Sequence, residues 1–73
     1  MPRNNRGVPL TSIQRGVYLS ISEGSLASVT AIQRHTAFSR MGIIRALDVL
    51  VSLGLLKEAK VGNMRIVWKE VRS

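Results

Sequence analysis

The chain has no cysteine and a single histidine, which removes disulfides and the usual zinc sites as sources of stability. Acids are also scarce, with 4 Asp+Glu against 11 Lys+Arg. Glu23, Asp48, Glu58 and Glu70 are scattered, each near a basic residue or a helix end, and they form no carboxylate pair for acid–base work. No glycine-rich phosphate cradle is present. An enzyme is therefore not expected, nor is a cofactor, a metal or a small-molecule effector. Long apolar runs are missing too: no stretch reaches membrane-spanning length, and MPRNNRGVP lacks the apolar core of a signal peptide. There are no internal repeats and no low-complexity tract. The expected compartment is the cytoplasm, with no membrane partner.

What is present points one way. Seventy-three residues make one domain, with a core near the lower limit for independent stability. With disulfides and metals removed, dimerisation is the expected supplement. The formal net charge of +7 and the pI near 11.6 suit a polyanion, most simply nucleic acid. A solubility charge or an anionic lipid surface is the blander reading. At 45% hydrophobic residues the composition is not that of a disordered chain.

The chain is organised around SRMGIIRALDVLVSLGLL, residues 39–56. Ser39 is placed to cap a helix, and Ile43, Ala46, Leu47, Leu50 and Leu53 recur at helical spacing as one inward stripe. Gly54 follows the last periodic residue, where a left-handed cap costs glycine little. Arg40, Met41 and Arg45 occupy the outward face, with no acid before Asp48. A helix over residues 39–53 that is cationic at its start and apolar behind is suited to entering a groove.

Residues 1–9 hold Arg3, Arg6 and both prolines, and read as a flexible basic arm able to track phosphates or reach a minor groove. The arm is equally well a frayed terminus with incidental charge. The domain proper spans residues 10–73. Thr11 or Ser12 can cap a first helix running to about residue 22, with Leu10, Ile13, Val17 and Ile21 inward. Tyr18 and Leu19 fall off that stripe. Ser28 opens a short second helix to His35, with Val29 and Ile32 inward. Thr36, Ala37 and Phe38 make a tight connection, and Phe38 plugs the core. Two helices joined this closely, the second cationic at its start, have the helix-turn-helix arrangement. After Gly54, two strand-like runs over residues 55–69 flank Gly62-Asn63, a glycine-leading hairpin signal. On this register Met64, Ile66 and Trp68 share one face and Arg65, Val67 and Lys69 the other. Trp68 is expected in the core. Lys60, Asn63 and Arg65 lie at or beside the hairpin tip.

This order resembles the winged helix-turn-helix family of bacterial, archaeal and viral transcription regulators. The most specific piece is Ser39-Arg40 followed by Ile43, Arg45, Leu47, Leu50 and Gly54-Leu55-Leu56. It is similar to the recognition-helix-to-wing signature of the multiple-antibiotic-resistance type regulators. The resemblance covers about residues 10–68. It implies a mainly α fold of three helices plus a two-stranded wing. It places Arg40, Met41, Ile44 and Arg45 at base edges, Thr36 and Ser39 at phosphates, and the hairpin tip on a flanking groove of double-stranded DNA. It also implies a homodimer on paired half-sites. Two positions depart from the family pattern: Gln33 stands where a small residue usually permits close helix crossing, and Ala37 replaces the turn glycine.

Arg34, His35, Arg40 and Arg45 fall in a segment free of acids, which favours DNA contact over a merely solvated face. His35 alone can form neither a catalytic nor a metal site and is expected to hydrogen-bond a phosphate or a neighbour. Ile44 and Val51 can each serve as an outward contact or as the edge of the core stripe. The expected function is a sequence-specific duplex-binding regulator. Repression is favoured over activation, because it needs only occupancy of a promoter. The alternatives are a winged-helix adaptor that binds protein and a ribbon-helix-helix dimer. The latter needs a strand before its first helix, and residues 1–9 make a poor one. Tyr18, Leu19, Val49, Val51 and Val71 exceed the needs of so small a core and are candidates for the subunit contact.

Overall fold

Hydroxyl side chains cap each of the described helices. A computed structural model describes residues 9–69 in the order α1 (Ser12–Ser20), β1 (Ala27–Ser28), α2 (Val29–His35), α3 (Arg40–Ser52), β2 (Leu56–Val61) and β3 (Met64–Lys69). Arg3, Arg6 and Val71 lie outside the described residues. Thr11 rather than Ser12 caps α1, accepting from the Gln14 N–H at 3.2 Å while the Gln14 side chain accepts from the Thr11 N–H at 3.0 Å. This reciprocal pair satisfies two backbone donors that the helix itself cannot. Ser28 caps α2 by accepting from the Ala31 N–H, and Ser39 caps α3 by accepting from the Gly42 N–H at 3.1 Å.

The ends are as explicable. α1 stops at Ser20, two residues short of the expected end, where the Ser20 hydroxyl donates to the Val17 carbonyl at 2.7 Å. Ile21 turns extended and is still buried. At the end of α3 the Leu55 N–H donates to the Leu50 carbonyl and the Gly54 N–H to the Val51 carbonyl, each at 3.0 Å. Gly54 has φ +78°. The paired bonds and left-handed glycine define a Schellman end, which turns the chain sharply into β2.

Ile43, Ala46, Leu47 and Leu50 form the buried stripe of α3, as the periodicity predicts, while Leu53 at the cap is half-buried. Val17 and Ile21, Val29 and Ile32, and Leu56 and Val67 close on that stripe from α1, α2 and the sheet. No polar or charged residue is buried among the described residues. Ile13 is not inward as expected but 41% exposed. It sits at the start of α1 beside Gly42, which has no side chain to cover it.

The sheet corrects two expectations. It has three strands rather than two, in the order β1-β3-β2, all antiparallel. Ala27 and Ser28 pair with Val67 and Ile66 along the free edge of β3, and a two-residue strand has no periodicity to reveal it. The core-facing row of β3 is that of Val67, not Trp68: Val67 is fully buried, whereas Trp68 lies half-buried on the opposite face. The hairpin turn itself is as expected. Gly62 has φ +63° and Asn63 does not have positive φ, so glycine leads. Among the described residues the order, helix first and hairpin last, differs from that of a ribbon-helix-helix chain. No described helix is long and apolar enough to cross a membrane.

Phe38, in the turn between α2 and α3, packs on α1 rather than only between its neighbours. A Cβ built on Gly16 would lie 2.6 Å from the Phe38 Cζ. The small residue that permits close approach is therefore on α1, not at Gln33, which is exposed. Gly16→Ala should lose up to about 2 kcal/mol because the ring must move, despite the better helix propensity of alanine. In a Phe38→Ala background the same change should instead gain about 1 kcal/mol. Urea melts of the four proteins test the sign reversal. A Gly16→Ala single variant more stable than the parent would show that Phe38 moves aside without cost.

Candidate nucleic-acid interface

With α3 advancing about 100° per residue, its surface divides into distinct flanks. Opposite the buried stripe lie Met41 and Arg45, with Met41 56% exposed. Arg40 and Ile44 lie one step round, on the side that faces the hairpin. There they border an open groove of about 750 Å³ whose far wall includes Lys60, Asn63 and Met64. Arg40, Ile44, Lys60, Asn63 and Arg65, all singled out from sequence, meet in this one groove. Ile44 is half-buried and packs on the core as well as lining the groove.

Other expected contacts point elsewhere. Arg45 is exposed, but it leans to the other side of α3 and borders a hollow shared with Ile13, Gln14 and Val49 of the α1–α3 face. His35 lines a hollow between the end of α1 and α2 rather than the groove. Arg34 is exposed in the last turn of α2. The Thr36 hydroxyl is used within the chain, donating to the Ile32 carbonyl at 3.0 Å and accepting from the Phe38 N–H at 3.4 Å. It holds the turn together. Ser39 is exposed, and its oxygen accepts the cap bond, which leaves the hydroxyl proton available to an acceptor outside the chain.

The electrostatics follow from which charges are paired. The first turn of α3 contains no acid, so its unpaired N–H groups and positive dipole end stand beside Arg40 without compensation. Among the described residues, no ion pair involves Arg40, Arg45 or Lys60. Arg65 is different. Its Nη2 lies 2.9 Å from Asp48 Oδ1 and its Nε 2.6 Å from Glu58 Oε1, with the side chain only 19% exposed. Partial burial lowers the guanidinium pKa, but the hydrogen bonds and charges of Glu58 and Asp48 outweigh it, so the net direction is up. The expected anchor at the hairpin tip is thus turned inward and engaged with two carboxylates. The cause is strand parity: Arg65 shares the inward row with Val67.

The sequence reading missed Val29, Thr30, Glu58, Val61 and Met64, which also line the groove. Val61 pairs with Met64 directly beside the turn, and these are 67% and 54% exposed. Strict alternation away from buried Val67 would have assigned both to the outer part of the hairpin. Among the described residues no cluster of His, Cys, Asp or Glu is built to hold a metal ion. Of the expected subunit contacts, Tyr18 and Val51 pack on the chain's own core, with Lys69 4.3 Å above the Tyr18 ring. Leu19 and Val49 are exposed.

The cap at Ser39 gives a direct handle on this surface. Ser39→Ala should lower stability by about 1 kcal/mol, whereas Ser39→Asp, which caps as well, should leave it nearly unchanged. Thermal and urea melts decide it. A Ser39→Ala protein as stable as the parent would mean that the Gly42 N–H finds water equally good.

Comparison with protein-family models, with curated proteins and with solved structures finds no match to this chain.

Proposed function

We propose that this chain is a winged helix-turn-helix protein that binds double-stranded DNA and regulates transcription, by repression before activation. In this reading α3 enters the major groove and the β2–β3 hairpin lies on the flanking groove. One observation carries it: the acid-free start of α3 and the cation at the hairpin tip border the same groove, while Glu58, which also lines it, and Asp48 are both held by Arg65. The net charge of +7 supports a polyanionic partner of this shape. Met41 meets the base edges head on, Arg45 reaches them from the α1 side, and Arg40 and Ile44 meet them from the hairpin side. Ser39, Arg34 and Lys60 serve the phosphates. Arg3 and Arg6 extend the contact from outside the described residues. The compartment that suits this work is the cytoplasm.

An adaptor that binds protein is the second reading, favoured by the exposed apolar Met41, Val61 and Met64 around the groove. Salt separates the two. DNA binding should weaken steeply as salt rises, with a log–log slope of about −0.9 per phosphate contact. Arg40→Ala should cost the preferred duplex about 1–3 kcal/mol and random duplex much less. Fluorescence anisotropy over a salt series measures both. A flat response, or no binding at low salt, would favour the adaptor.

A homodimer fits the same reading, since paired half-sites call for paired readers. Leu19, Leu26, Val49 and the exposed Ile13 are the apolar surface left for it. Light scattering at micromolar concentration should give twice the chain mass. A single-chain mass would remove the half-site expectation without touching the groove.

A further inference from the structure

The hairpin is anchored at its base and reaches beyond its anchor. Leu56 and Val67 are buried at the core end of β2 and β3, but toward the turn Lys60, Val61 and Met64 are exposed. Arg65 is the last inward-facing residue of β3 before the turn, paired across to Lys60. Its guanidinium spans from Glu58 on β2 to Asp48 on α3, so one side chain joins both strands to the helix. We infer that Arg65 is a positioning residue, a brace that sets the angle between the hairpin tip and α3 and so the distance between the two DNA-contacting parts. The inference rests on the DNA-binding reading of the groove.

The chemistry of arginine makes the brace specific. Two carboxylates on different elements are met by Nε and Nη2 of a rigid planar fork, whereas a lysine ammonium is a point charge on a flexible stem. Lysine keeps the charge and loses the geometry. Without the brace the core still holds the hairpin base, so the fold survives and the tip is free to swing. The damage should fall on the part of the DNA that lies under the tip.

The test uses a duplex selected by the full chain from a random-sequence pool, in its full length and with the hairpin-side flank trimmed as mapped by hydroxyl-radical footprinting. Arg65→Lys should weaken the full duplex by up to about fivefold and leave the trimmed one nearly unchanged. Asp48→Asn gives the sharper result. It raises the net charge by one, so simple electrostatics would tighten DNA binding, yet loss of the brace should weaken the full duplex by a similar factor. The double variant should lose no more than either single one, because both remove the same link. Asp48 is 64% exposed, so Asp48→Asn is expected to fold, and a thermal melt verifies it. Tighter binding by Asp48→Asn, additive losses, or equal losses on both duplexes would overturn the brace while leaving DNA binding in place. No duplex binding by the unaltered chain would overturn both the brace and the reading on which it rests.

Discussion

Burial of Ile43, Ala46, Leu47 and Leu50 along one side of α3 is the constraint under which every other element takes its place. No element alone can cover this stripe. Val17 and Ile21 of the α1 segment, Val29 and Ile32 of α2, and Leu56 and Val67 of the sheet each take a share. With no polar or charged side chain buried among the described residues, shape rather than side-chain hydrogen bonding decides how the core packs. Gly16 shows how tight that shape is, since the Phe38 ring occupies the space a side chain there would need. The caps then fix where each helix may begin and the Schellman turn at Gly54 fixes where the sheet may start.

The covering of α3 from three sides has an electrostatic consequence. The remaining sector of the helix must face solvent, and in its first half that sector contains only Arg40, Met41, Ile44 and Arg45. Nothing acidic precedes Asp48, and Asp48 is bound to Arg65. The positive field of the helix start therefore meets no acid of the helix itself on the side where the groove opens. In a chain with so few acids, their placement on one arginine matters more than the total charge.

Much of this was legible in the sequence because much of it is local. A hydroxyl before an apolar period, a glycine after it and Gly-Asn between strand-like runs each act within a few residues, and Ser28, Ser39, Gly54 and Gly62 all do what those rules require. The buried stripe of α3 is legible for the same reason. What was not legible depends on distant pairing. β1 exists only because Ala27 and Ser28 meet Val67 and Ile66. The choice of inward face in β3 could not be made from alternation alone, since both rows hold apolar residues. The large Trp68 drew the core to the wrong row, whereas the smaller Val67 fits between the sheet and α3.

That single choice of row explains the fate of Arg65, and magnitudes show what its ion pairs are for. Once Val67 is inward, Arg65 is inward too, and near the turn the sheet has outrun the apolar core. The inward row must change there from apolar to polar, and it does: Val67 faces the core, while Arg65 faces Asp48 and Glu58. Asp48 is 64% exposed and Glu58 40%. Pairs so accessible to water are worth about 0–1 kcal/mol each, less than one well-buried aliphatic side chain at roughly 1.5–3 kcal/mol. Stability is thus a poor reason for two carboxylates to converge on one fork. Geometry is a better one, because two bonds in a fixed plane constrain an angle even where they add little free energy. A hairpin that only had to fold could do without them; one that must present its tip at a set distance from a helix could not.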